Sequence, residues 1–188
     1  MPIRPICITG EPVLHSKAIE VVDFNDELRR LVEDMYETMD AAPGVGLAAP
    51  QVGVGLRLFV YDYADEDGNP RRGVVINPVL EVGALSKDAP DEDLDSEGCL
   101  SVPGERFPLK RADKVVVTGV DLEQNRVHIE AEGWFARIFQ HEFDHLNGIL
   151  YVDRLVDPWK AEAELVINQE EWGVPGLSWL PGRDKLEG

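Results

Sequence analysis

The sequence predicts an α+β fold: mixed, largely antiparallel strands packed around one central helix, with an N-terminal helix and a C-terminal extension. Three observations lead there. Strand-like runs follow one another before a single main helix, which disfavours an alternating βαβ sheet. That helix comes late, over residues 133–147. Beyond Asp157 the composition shifts toward Gly, Pro and Trp.

The elements follow in chain order. Residues 1–22 mix apolar residues with Pro and Gly and read as an extended arm wrapping the body. Residues 25–39 read as a helix, capped by Asn25, with Leu28, Leu31, Val32, Met35 and Met39 at helical spacing as a core face. Ala42-Pro43-Gly44 stops it. Residues 57–61 look like a strand ended by a turn-rich segment over 65–70, and residues 73–82 like a second strand, interrupted at Pro78. Residues 114–118 and 126–130 flank Glu123-Gln124-Asn125 and suggest a hairpin. In the central helix Phe135, Ile138, Phe139, Glu142, His145 and Leu146 fall near one side, and Asn147-Gly148 provides the stop. Residues 158–171 suit a short helix. Residues 172–182 carry too much Gly and Pro to continue it, and read as a tail docked by Trp172 and Trp179. The expected division is a catalytic domain over 1–157 and an extension over 158–188.

Composition narrows the function classes. A chain of 188 residues with 44% hydrophobic and 29% charged residues can close one globular core. No apolar run approaches the roughly 20 residues of a membrane span, and the start, Met1-Pro-Ile-Arg-Pro-Ile, has no signal-like pattern, so the expected location is cytoplasmic. Two cysteines, Cys7 and Cys99, make no disulfide framework. A net charge of −18 disfavours nucleic acid, whose binding rests on Lys and Arg neutralising phosphates. Residues 157–188 alone carry seven acidic and three basic side chains, so the tail is not expected to bind RNA.

The chemistry centres on His141-Glu-Phe-Asp-His145. Positions four apart share a helix face, so both imidazoles can point at one divalent ion. Glu142 sits beside them, placed to take a proton from a water that the ion acidifies. A catalytic ion needs a third protein ligand. The extended protease pattern would continue with Gly148 and a third histidine, but Tyr151 stands there. Glu162 and Glu164 lie near the spacing of another ligand class, beyond a break containing Pro158. Cys99, in Glu97-Gly-Cys-Leu-Ser-Val-Pro103, is the alternative. A thiolate is a strong ligand for Zn²⁺ or Fe²⁺. Spacing alone leaves the choice open. A third segment, Gly44-Val-Gly-Leu-Ala-Ala-Pro-Gln51, implies close backbone approach and ends on an amide donor; it lacks the Gly-Lys-Ser/Thr of a phosphate loop.

Together the three segments resemble the peptide deformylase family, whose pattern is Gly-x-Gly-x-Ala-Ala-x-Gln, then Glu-Gly-Cys-Leu-Ser, then Gln-His-Glu-x-Asp-His-Leu-x-Gly. The chain carries Gly44, Gly46, Ala48, Ala49 and Gln51; Glu97, Gly98, Cys99, Leu100 and Ser101; and Gln140, His141, Glu142, Asp144, His145, Leu146 and Gly148. The resemblance covers roughly residues 1–157. It implies Cys99, His141 and His145 as ligands of one divalent metal, typically Fe²⁺, with Zn²⁺ or Ni²⁺ able to replace it. It implies a substrate ending in N-formyl-methionine, as on nascent chains leaving the ribosome, and release of formate. It implies Glu142 as general base, and the Gln51 amide and the Leu100 backbone N–H as oxyanion donors. Gly46 would bond the substrate main chain, and Val45 and Ile138 would line the methionine pocket. Glu97 and Arg106 match positions near the pocket mouth, as an ion pair. Two rivals predict otherwise. A zincin-type metallopeptidase would keep its metal without Cys99, and a non-catalytic metal-stapled domain would have no use for Gln51 or Glu142.

Overall fold

The computed structural model describes residues 2–64 and 68–186. The strands are β1 (Ile6–Cys7), β2 (Gly46–Ala48), β3 (Leu58–Ala64), β4 (Pro70–Val82), β5 (Ser96–Cys99), β6 (Val102–Pro108), β7 (Lys114–Val120), β8 (Arg126–Glu132) and β9 (Ser178–Trp179). The helices are α1 (Asp26–Ala41), α2 (Gly133–Leu146) and α3 (Trp159–Gln169). A five-stranded antiparallel sheet runs in the order β2-β3-β4-β7-β8, while β5 pairs with β6 and β1 with β9. The α+β expectation holds.

Local chemistry accounts for the element ends. The Asn25 side chain accepts the Leu28 N–H at 3.0 Å, and Asp26 and Glu27 lie in the first turn, where negative charge suits the helix dipole. The α1 face of Leu28, Leu31, Val32, Met35 and Met39 is buried against β2 and β3 residues such as Leu47, Leu58 and Val60. At the β7–β8 turn the Asp121 carboxylate accepts the Glu123 and Asn125 N–H groups at 2.9 and 2.8 Å, which suits the φ of 63° at Gln124. Of the turn expected over 65–70, residues 65–67 lie outside the described residues.

The interruption expected at Pro78 is a register shift between Ile76 and Val79, past which strand β4 continues; the strand begins at Pro70, earlier than the expected residue 73. Pro78 has no N–H to give the ladder, and the bulge absorbs that loss. Asn77 at the bulge, with φ 51°, clamps the Val21 backbone at both its N–H and its C=O, at 2.8 and 2.9 Å, tying the N-terminal arm down. Helix α2 has two buried faces rather than one. Ala136, Phe139 and Leu146 pack on the sheet against Phe59 and Val75. Ile138, His141 and Glu142 turn instead to a cleft. Gly148, at φ 72°, ends the helix where a Cβ would lie 2.8 Å from the Ser16 nitrogen.

After α3, whose last helical residue falls two short of the expected Glu171, the tail returns to the body. Trp179 is 1% exposed and joins the core of Ile6, Leu47 and Met39; Trp172 packs half-buried beside it.

Candidate active site

A cleft of about 390 Å³ opens between α2, the β5–β6 hairpin and the segment leading into β2. Three donor atoms converge beside it. Cys99 Sγ lies 3.4 Å from His145 Nε2, and the two histidine Nε2 atoms are 3.2 Å apart. The ligand atoms of Cys99, His141 and His145 all fall within 4.8 Å of one another, and all three residues are buried. A tetrahedral ion with metal–sulfur near ~2.3 Å and metal–nitrogen near ~2.0–2.1 Å needs donor separations of about 3.3–3.6 Å. The sulfur–nitrogen separation of 3.4 Å falls in that range and the nitrogen–nitrogen separation of 3.2 Å lies just below it. The chain therefore offers a site for one divalent metal.

The surrounding charges suit the same reading. His141 is flanked by Cys99 and Glu97; burial pulls its pKa down, but these two more than offset that and raise it. A thiol and a carboxylate flanking one imidazole form a donor set that suits a cation. His145 is held well below the ordinary histidine range by burial and then by His141, so it presents a neutral ring, as a ligand must. Glu97 Oε1 lies 2.6 Å from His141 Nδ1. With that nitrogen donating to the carboxylate, Nε2 turns its lone pair to the site.

Glu97 is itself fixed by two arginines. Arg111 donates to both its oxygens at 2.7 and 3.1 Å, and Arg137 donates to Oε2 at 3.0 Å. Arg111 also pairs with Asp144 at 2.7 Å, and Arg137 with Asp95 at 2.8 Å. Burial alone would raise the Glu97 carboxyl, but His141 and Arg111 hold it well below the usual carboxylate range. The expected Glu97–Arg106 ion pair is thus corrected. Arg106 is exposed and donates to the Ser96 carbonyl at 2.9 Å instead. Both residues still line the cleft. Glu97 pairs with Phe107 and Arg106 with Gly98, an offset of one residue that directs the two side chains to opposite faces of the hairpin, whereas Arg111 enters from beyond it.

Glu142 stands in contrast. Its Oε2 is buried without a hydrogen-bond partner among the described residues. Burial pushes its pKa up to about 7, with the charge of Glu97 adding to that and His141 opposing it. Gly46 lies directly against it, since a Cβ there would fall within 2.4 Å of Glu142 Oε1. The absence of a side chain at Gly46 makes the space Glu142 occupies.

The remaining sequence-predicted residues gather at the same place. Gln51 accepts the Ala48 N–H through Oε1 at 2.9 Å, which aims its Nε2 toward Ser101 Oγ at 3.3 Å and Cys99 Sγ at 3.7 Å. Val45, Gly46, Leu100 and Ile138 line the cleft. Glu162 and Glu164 are exposed on α3, outside the cluster. Sequence reasoning missed Arg111 and Arg137, which lie 14 and 40 residues from Glu97 with no periodic signal to link them.

The sequence model of the family described as polypeptide deformylase matches residues 3–161. The chain belongs to the peptide deformylase family. A peptide deformylase of Rhodococcus opacus (strain B4) is 55% identical over 97% of this chain and 95% of its own length. One from Mycolicibacterium paratuberculosis is 53% identical over 97% and 96%. Among solved structures, the peptide deformylase of Legionella pneumophila has a TM-score of 0.78 at 37% identity, covering 90% of this chain and 96% of that one. A peptide deformylase of Synechococcus elongatus in complex with actinonin has a TM-score of 0.78 at 35% identity, covering 94% of each chain. As a deformylase family member the chain is an enzyme, a metal-dependent hydrolase, which removes the metal-stapled binding domain and the zincin-type peptidase as readings.

Proposed function

We propose that the chain hydrolyses the N-formyl group of N-formyl-methionine at the start of newly synthesised polypeptides, with Glu142 moving the proton. The observation that carries this is a thiol and two imidazole nitrogens converging beside a buried carboxylate oxygen that has no partner among the described residues. Cys99, His141 and His145 would hold the ion, and the family resemblance favours Fe²⁺ over Zn²⁺ or Ni²⁺. When bound, the ion supplies Lewis acidity that brings the pKa of an adjacent water toward neutrality.

The protein's own residues then divide the work. Glu142 removes a proton from the attacking water as its oxygen bonds to the formyl carbon. The carbonyl oxygen takes up negative charge, and the Gln51 amide and the Leu100 N–H donate to it. Glu142 returns the proton to the amine nitrogen as the C–N bond breaks, giving formate and a free methionine amine. The Gly46 backbone bonds the substrate main chain as a strand would. Val45 and Ile138 receive the methionine side chain, with Glu97 and Arg106 nearer the mouth. Residues 1–157 form the catalytic domain and 158–188 an extension; the family match ending at 161 supports that division.

The setting follows from charge and hydropathy. Among the described residues no helix is long and apolar enough to cross a membrane. The cytoplasm, with transient proximity to the ribosome and no direct nucleic-acid binding, fits a net charge of −18. The test is formate release from a formyl-Met peptide by anaerobically purified protein, since a ferrous ion and its thiolate both oxidise. Stoichiometric formate supports the reading. Metal-loaded protein that releases none overturns it.

A further inference from the structure

The active-site turn Cys99-Leu100-Ser101 sits at an irregular end of its own hairpin. The β5–β6 register shifts between Gly98 and Cys99, and Cys99 then pairs with Val102, leaving Leu100 and Ser101 in the turn between them. The bracing comes from the chain termini. Thr9 donates its N–H to the Ser101 carbonyl at 2.8 Å, and the Trp179 indole N–H donates to the Leu100 carbonyl at 2.8 Å. Trp179 is pinned in turn, through β9 pairing Ile6 with Trp179 and Cys7 with Ser178, and through burial in the main core. It lies outside the 3–161 span of the family match.

A buried indole needs some acceptor for its N–H. Here that acceptor is a carbonyl in the catalytic turn. The Leu100 C=O and the Ser101 N–H belong to one planar peptide, on opposite sides of it. Holding the oxygen therefore aims the N–H, and it points at Cys99 Sγ at 3.4 Å. The preceding peptide, whose N–H is that of Leu100, joins this one at the Leu100 Cα, so the grip on the carbonyl restricts that N–H through the φ and ψ of Leu100.

We propose that Trp179 is a positioning residue for the catalytic turn. By gripping the Leu100 carbonyl it keeps the Ser101 N–H on the Cys99 sulfur and the Leu100 N–H aimed at the developing oxyanion. The second half rests on the deformylase reading; the first does not. Small displacements of a catalytic donor cost rate more than binding.

The experiment compares wild type with Trp179→Phe, which keeps a buried ring and removes the N–H. Formate release from a formyl-Met peptide should fall about tenfold in kcat with KM within about twofold. In Co²⁺-substituted protein the thiolate-to-cobalt charge-transfer band should move to longer wavelength, because the sulfur loses a hydrogen bond. Should Trp179→Phe fail to fold, Trp179→benzothienylalanine, introduced by ligating a synthetic tail, keeps the bicyclic shape and removes only the N–H. An unchanged kcat and an unchanged band, even with a lower Tm, would overturn the proposal. Wild type that releases no formate would sink the deformylase reading instead, while the cobalt band would still decide the grip on the sulfur.

Discussion

Glu97 and Glu142 are both 3% exposed and both lie near His141, yet their carboxyls are driven in opposite directions. Glu97 sits among Arg111, Arg137 and the His141 ring, and stays ionised. Glu142 keeps one buried oxygen without a partner among the described residues, and its pKa rises to about 7. Burial is the same for both, so burial alone does not decide a carboxylate's role. The number of donors around it does. A fully satisfied carboxylate can only orient its neighbours, whereas one left unsatisfied can exchange a proton near neutral pH.

The strongest attack on this contrast is Glu142→Gln. It should cost at least ~10²-fold in kcat while metal content, read by atomic emission, stays at wild-type level. Activity within tenfold of wild type would end the proton-transfer role. Glu97→Gln should act by the other route, weakening metal affinity by roughly 10–100-fold and destabilising the fold by about 3–5 kcal/mol through stranded arginine charge. Metal titration and urea unfolding measure the two.

Stability in metal-free protein gives the contrast opposite signs. A carboxyl raised on folding binds its proton more tightly in the folded chain, so ionising it costs stability as pH rises from the ordinary carboxylate range to about 7. Glu142→Gln should therefore raise Tm at pH 8 and leave it unchanged near pH 4. A depressed carboxyl contributes stability above its unfolded pKa and loses it as pH falls through the folded one. Glu97→Gln should accordingly lower Tm at pH 8, and by less in acid. The smallest effect belongs to Arg106→Ala. Exposed and bonded, among the described residues, to Ser96, it should shift stability by no more than ~0.5 kcal/mol and leave metal affinity intact. A large loss of metal there would restore Arg106 as the partner of Glu97.

What the sequence reveals follows the range of the forces involved. The α1 cap at Asn25, the apolar spacing behind it and the pairing of His141 with His145 are local or periodic, and they read directly. Cys99 is one candidate among several until two further segments are set beside it. The arginines around Glu97 stay hidden because ion pairing across 14 and 40 residues leaves no spacing rule, and Arg106 is the nearer guess. The two-sided burial of α2 is missed for a related reason. A polar face that turns inward toward a cleft has the pattern of one that faces water.

Strand β1 finds its partner in β9, so the first strand made waits for the last. At roughly 5–20 residues per second, the intervening chain takes about 9–35 s to synthesise. Until Trp179 has emerged, Ile6 has no strand beside it and the Leu100 carbonyl has no indole to hold it. The enzyme's own birth thus imposes a delay. A nascent copy would complete its catalytic turn only after residue 179 has been made, and a copy terminated before that residue would lack that brace.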